Sequence, residues 1–219
     1  MENNLIYTKD IHDKDLLTNT IQTNQVMMEW EKPYMEELVK RLQPKGNVLE
    51  VGFGLGYSAN AIQQYDINTH TIIECDSKVI EKAYVWSKKQ KHKVFIIEGT
   101  WQNKLKSLGY FDSFFFDDYP HPDHPDPLST RVFDFYYDIM EKHANANSTF
   151  TWYCGRPICW PCNNYISWDM ESYEINIPDN CDYVEKYGKK IKMMYTPLVG
   201  FKKKNIKMHR KILEMFSDD

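Results

Sequence analysis

The chain has 219 residues, 42% of them hydrophobic, and a formal net charge of −4. That is enough apolar material for one sizeable core, without the basic field that draws a protein to nucleic acid. No apolar stretch reaches membrane-spanning length. Met1–Gln25 is polar and acidic, unlike a signal or transit sequence. The five cysteines, odd in number and irregularly spaced, suit a reducing compartment. A soluble cytoplasmic protein is therefore expected, with neither nucleic acid nor membrane as partner. Monomer and homodimer both stay open.

Residues 1–25 are rich in Asn, Asp, Thr and Lys and are expected to form a loosely ordered arm or lid. Pro33 suits the first turn of a helix that carries Tyr34, Leu38 and Leu42 on one face and stops at Pro44 and Gly46. Strands and helices then alternate. Strands are predicted at Val48–Val51, Thr71–Glu74, Val94–Ile97, Phe111–Phe116 and Thr149–Tyr153. Helices are predicted at Ser58–Gln64, Val79–Lys88 and Arg131–His143. This rhythm implies an α/β fold, a doubly wound and mostly parallel sheet with right-handed crossovers. Beyond Gly155 the rhythm breaks, and two further strands at Tyr173–Ile177 and Lys190–Tyr195 are expected to close the sheet edge. Residues 26–200 thus read as one domain and 201–219 as a basic tail.

Gly52-Phe-Gly-Leu-Gly56 follows a strand and precedes a helix, where glycines give a tight turn and bare backbone for a ligand. Glu74 closes the next strand, where a carboxylate accepts the hydroxyls of a ribose. Dinucleotides and S-adenosylmethionine are the two cofactor classes that use this arrangement. A dinucleotide turn reads Gly-x-Gly-x-x-Gly. Here the third glycine comes one residue early and Tyr57 takes its place. A sulfonium ligand has no phosphate and calls for an acidic cradle, to which Glu50 and Asp117 contribute.

Asp117 and Asp118 end the aromatic strand Phe114-Phe-Phe116, at the carboxyl edge of a parallel sheet and beside the glycine turn. One of the pair is expected to face the site, and Asp117 is the choice. Glu31, in Trp30-Glu-Lys-Pro-Tyr34, is the second acid. A carboxylate in aromatic surroundings holds a cation or takes a proton.

Several blocks resemble the guanidinoacetate N-methyltransferase family: Val26-Met-Met-Glu-Trp-Glu-Lys-Pro-Tyr-Met35, Val48-Leu-Glu-Val-Gly-Phe-Gly54, Ile72-Ile-Glu-Cys75, Gly99-Thr-Trp101, Asp117-Asp-Tyr-Pro120, Thr151-Trp-Tyr-Cys154 and Tyr195-Thr-Pro-Leu-Val199. The related fungal arginine methyltransferases share parts of them. The resemblance implies a seven-stranded, Rossmann-like methyltransferase that uses S-adenosylmethionine. It implies that Glu74 binds the ribose and that Cys75, Asp76, Trp101 and Gln102 line the adenine pocket. It further implies that Met27 and Met35 pack on the cofactor, and that Leu55, Gly56, Tyr57 and Ser58 pass its methionine part. Glu31 and Asp117 would grip a guanidino group, with Asp117 as base, near Tyr119. The alternatives are a peptide or protein arginine methyltransferase and a non-catalytic cofactor-binding protein.

The chain departs from the family after Cys154, where it reads Gly155-Arg-Pro-Ile-Cys-Trp-Pro-Cys162. Arg156, with Pro157, becomes the candidate partner for a substrate carboxylate, and Gln102 stands where the family has an acid. Cys159 and Cys162 form a lone C-x-x-C, read as structural thiols. His121-Pro-Asp-His-Pro-Asp126 reads as a solvated loop, so no metal site is expected.

Overall fold

The computed structural model describes residues 5–20, 24–119, 128–158, 160, 165–182 and 193–203. The chain opens with a three-stranded antiparallel meander: β1 (Leu5–Lys9), β2 (Asp15–Asn19) and β3 (Asn24–Met28). This corrects the expectation of a loosely ordered arm. Leu5, Leu17 and Met27 point inward and join the core of the main body, which supplies the apolar burial the segment lacks by itself.

A single 3-10 turn, Glu29–Glu31, leads into α1 (Lys32–Leu42). Tyr34, Met35, Leu38, Val39 and Leu42 are buried along one stripe of it. Pro33 lies in its first turn, and Gln43 caps it in the left-handed region, with its N–H donated to the Val39 carbonyl. Then follow β4 (Gly46–Val51), α2 (Tyr57–Ile62), β5 (Ile67–Glu74), α3 (Ser77–Ser87), β6 (Lys93–Glu98), α4 (Trp101–Lys104), β7 (Phe111–Phe116), α5 (Leu128–Lys142), β8 (Ala144–Trp152), β9 (Ile166–Glu174) and β10 (Met193–Phe201).

The main sheet has seven strands in the order β6-β5-β4-β7-β8-β10-β9. Strands β4 to β8 pair in parallel, and β10 runs antiparallel to both β8 and β9. The chain builds outward from β4 through β5 to β6, then returns to lay β7 against the other side of β4. That reversal opens a crevice above the carboxyl ends of β4 and β7, the usual ligand position in such sheets.

Both faces of the sheet are covered, which is why Phe114-Phe-Phe116 reads as an unbroken apolar run. Phe114 and Phe116 pack with Phe135 of α5, with Phe116 and Phe135 ring centroids 4.6 Å apart. Phe115 packs on the opposite face with residues of α1, α2 and α3.

The last two strands differ in place from the expectation. β9 begins at Ile166 and β10 at Met193, and they pair residue for residue from Met193↔Glu174 to Phe201↔Ile166. Trp168 of β9 stacks on Trp152 of β8, with ring centroids 5.7 Å apart, which helps to fasten this edge of the sheet. Lys190–Lys192, the Cys159 and Cys162 thiols, Pro120–Asp126 and the tail beyond Lys203 lie outside the described residues.

Candidate active site

The glycine turn fills the carboxyl end of β4. Gly52 adopts φ +85°, and a Cβ there would collide with the Asp117 carbonyl oxygen, so only glycine lets β7 end so close. A Cβ on Gly54, at φ +52°, would meet the Met27 sulfur at 2.7 Å. Four of the five backbone donors of this turn are already engaged. Gly52 N–H donates to the Ile73 carbonyl, Gly56 N–H to the Phe53 carbonyl, Phe53 N–H to Glu74 Oε2 and Leu55 N–H to Met27 Sδ. An arrangement that has spent these amides is no phosphate cradle, and this weighs against a dinucleotide.

Glu74 ends β5 and is buried. Besides the Phe53 N–H, its carboxylate accepts the N–H groups of Cys75 (2.7 Å) and Asp76 (2.9 Å). Burial raises its pKa, and these three amides oppose the shift. Asp76 caps α3, its Oδ1 accepting from Lys78 and Val79 N–H, while its buried Oδ2 has no hydrogen-bond partner among the described residues. Burial, with Glu74 and Asp76 beside it, pushes the Cys75 thiol up to about 12. This rim is anionic and dry, with one acceptor oxygen to spare. It fits a ligand that brings hydroxyl or amine donors and positive charge, as the nucleoside and sulfonium of S-adenosylmethionine do.

The second half of the site joins the two predicted acids. Glu31 is buried at the end of the 3-10 turn, and its Oε1 accepts the Met28 N–H at 2.7 Å. Burial pushes its carboxyl up to about 8, helped by the nearby charge of Asp117 and opposed by the Met28 N–H and the Tyr153 hydroxyl. Asp117 prolongs β7 through its N–H to the Val51 carbonyl at 3.0 Å. Burial, then Asp118, Glu50 and Glu74, push its carboxyl up to about 7.

Asp118 turns the other way. It accepts the Trp101 indole N–H at 3.0 Å and pairs with the buried Arg131 at 3.0 Å. Asp118 is thus committed to Trp101 and Arg131, and neither bonds the Asp117 carboxyl.

The remaining predicted residues divide. Met27 reaches the glycine turn, whereas Met35 is wholly buried in the core. Ser58 turns inward and donates to Glu50. Trp101 stands edge-on to Phe116 and Phe135, with half-buried Gln102 beside it. Tyr119 is half-buried at the crevice. Arg156 and Pro157 are exposed beyond the Cys154–Tyr195 bridge. Two further residues, which no sequence motif marks, reach the site: Tyr7, whose hydroxyl donates to the Gly54 carbonyl at 2.8 Å, and Tyr153 beside Glu31. For Tyr7 the available signal was its place, two residues after Leu5, in a strand with one inward-facing side.

The fold and this crevice define a class I methyltransferase architecture. Spermidine synthase from Thermotoga maritima superposes over 100% of this chain and 80% of its own, with TM-score 0.56 and 15% identity. An O-methyltransferase from Bacillus cereus superposes over 80% of each chain, with TM-score 0.50 and 11% identity. Within that class the chain belongs to the guanidinoacetate N-methyltransferase family, whose profile matches residues 8–217. The members of this family are S-adenosylmethionine-dependent methyltransferases. Protein arginine N-methyltransferase 2 of Candida glabrata is 30% identical over 192 residues, and that of Saccharomyces cerevisiae 26% over 185. The alignments take in 80% and 77% of this chain but only 44% and 42% of those proteins, so the chain spans less than half the length of these relatives. Among the described residues no helix is long and apolar enough to cross a membrane.

Proposed function

We propose that the chain methylates a guanidino nitrogen of a small, guanidinoacetate-like acceptor. The observation that supports this reading is that Glu31, buried at the end of the 3-10 turn, and Asp117, half-buried at the end of β7, stand close enough for the Asp117 charge to raise the Glu31 carboxyl. A buried acid whose pKa is raised by a second acid is poised for a cation. A guanidinium is a planar, delocalised cation with several donors, suited to being gripped from two sides.

S-adenosylmethionine, when bound, supplies a methyl group on a positively charged sulfur. Glu74, Cys75, Asp76, Trp101, Gln102, Met27 and the turn Gly52–Ser58 are the residues that would hold it. Glu31 and Asp117 offset the repulsion between that cation and the guanidinium. They also aim one guanidino nitrogen. Asp117 takes the proton that the nitrogen sheds as its new bond forms, which leaves the product's charge delocalised. Asp118, held in its ion pair with Arg131, leaves this task to Asp117.

The arm supports a small acceptor. Gln25 bridges to the turn near Asp182: its N–H donates to Asp182 Oδ2, its side-chain amide to the Asn180 carbonyl, and its Oε1 accepts the Asp182 N–H. Asn180 in turn donates to Asp10 of the meander. Beside this clasp Gln25, Val26, Met28, Glu31, Cys181 and Asp182 line a half-open space of about 10 Å³, room for little more than one water molecule. Transfer to arginine in a peptide is the second reading, favoured by the names of the fungal relatives; it requires the clasp to open. Free thiols at Cys75, Cys154 and Cys181 support a reducing, cytoplasmic setting.

The test is incubation of purified chain and labelled S-adenosylmethionine with guanidinoacetate, arginine, agmatine and arginyl peptides. Transfer to a free guanidino compound is expected. Transfer only to peptides would replace this reading with the second, and no transfer to any acceptor would defeat both.

A further inference from the structure

Among the described acidic residues Glu50 is the one with no exposed surface. It lies on central strand β4, two residues before Gly52, and neither it nor its partner His70 is exposed at all. In the β4–β5 register Glu50 stands opposite Ile72, and His70 opposite Val48. Val48 and Ile72 belong to the apolar layer under α1, α2 and α3, so Glu50 and His70 share that layer as diagonal neighbours. A carboxylate there is strongly unfavourable unless it is held by donors.

The donors are two. Ser58 Oγ bonds Glu50 Oε1, and His70 Nε2 stands 2.7 Å from Oε2. The remaining ring nitrogen settles the proton's position. His70 Nδ1 faces Gln63 Nε2 at 3.2 Å, and Gln63 Oε1 accepts the His92 backbone N–H at 3.1 Å. A backbone N–H can only donate, so the Gln63 oxygen is turned toward it and the amide NH2 toward His70. Nδ1 must therefore accept, and the single ring proton sits on Nε2, aimed at Glu50. A doubly protonated ring would set an N–H against the Gln63 NH2. The relay thus holds a neutral imidazole and an ionised carboxylate, with one net negative charge buried beneath the turn.

We propose that His70, oriented by Gln63, is a positioning residue: its Nε2–H fixes Glu50 as an anion, and that charge makes the glycine turn prefer a cationic ligand over a neutral one of the same shape. The reach of the charge is visible at Asp117, whose carboxyl Glu50 helps to hold up. Glu74 and Asp76 line the rim above, and Glu50, bonded only to the neutral donors Ser58 and His70, adds its charge from below. The inference concerns cofactor binding and does not depend on which acceptor is methylated.

The experiment is calorimetric titration of the full chain with S-adenosylmethionine and with S-adenosylhomocysteine, whose sulfur is uncharged, with no acceptor present. His70→Phe removes the donor. It is expected to lower the preference for the sulfonium ligand by about tenfold. His70→Gln, whose amide can donate in place of Nε2–H, is expected to recover most of that preference. Equal losses for both ligands, or an unchanged ratio, would overturn the proposal, because a merely structural histidine weakens both alike. If His70→Phe does not fold, Glu50→Gln removes the charge at constant shape. It must lower the same ratio, and an unchanged ratio there is equally fatal.

Discussion

The hydroxyl of Tyr7 donates a 2.8 Å hydrogen bond to the carbonyl of Gly54, which ties the first strand of the chain to the turn that ends β4. The Lys82 ammonium of α3 lies over the same Tyr7 ring, 3.1 Å from its centroid. The meander is thus fastened to the rim of the crevice at one end by Tyr7 and at the other by Gln25 with Asp182. Partial desolvation lowers the Lys82 pKa, and the charge of Asp15 opposes that shift.

Tyr7→Phe keeps the ring and removes the bond. The stability loss should be about 1 kcal/mol. Hydrogen exchange should quicken at Leu5–Lys9 and across the glycine turn while α5 is unaffected. Unchanged exchange at the turn would mean that the Tyr7 bond does not restrain it.

Asp117→Asn retains the shape and the backbone bond to Val51 but no longer takes a proton. The turnover rate should fall by roughly 10²–10⁴, the range typical of a lost general base. The dissociation constant for S-adenosylhomocysteine should stay within about threefold. Glu31→Gln should instead act chiefly on acceptor KM. Steady-state kinetics separate the two patterns, and a full rate in Asp117→Asn contradicts the assignment of the base.

Stability should fall as pH rises. In the folded chain the Glu31 carboxyl sits at about 8 and that of Asp117 at about 7, both above their ordinary values near 4. Between about pH 4 and pH 8 the folded state therefore holds protons that the unfolded chain has released. The contribution is fully present below that window and lost as pH passes through it. Urea unfolding at pH 5.5 and pH 8.5 should show the decline, and Glu31→Gln with Asp117→Asn should flatten it. An equal slope in the double variant would place the responsible groups elsewhere.

Arg131→Leu should strand Asp118, which keeps only the Trp101 indole as a partner. Breaking a buried pair on one side costs about 3–5 kcal/mol. Asp118→Asn should cost less and should move the acid limb of the rate profile to lower pH, because Asp118 is one of the charges that hold the Asp117 carboxyl up. A limb that stays in place would show that Asp117 does not feel its neighbour.

The parallel core was legible because its signals are local. Apolar runs such as Phe111–Phe116 end in glycine or acid, and α1 combines Pro33 with an apolar stripe. Glu31 and Asp117 were legible as chemistry in aromatic settings, though only the fold shows that a 3-10 turn and a strand end bring them within reach of each other's charge. The meander was not legible, since β1 and β2 bury few side chains of their own and depend on the main body for cover. The His70 relay escaped for a different reason. Within Ile67–Glu74 a histidine among apolar residues has no pattern of its own, and its role comes from Glu50 and Gln63, which the register and α2 bring to it.

The central claim is that a guanidinium is held by two carboxylates that free protein keeps partly protonated. Its most direct measurement is calorimetric titration of the S-adenosylhomocysteine complex with guanidinoacetate or agmatine at pH 7, repeated in buffers of different ionisation enthalpy. The account expects acceptor binding to release about one proton, because the arriving cation favours the ionised form of both acids. Binding with no proton release, or with uptake, would contradict it.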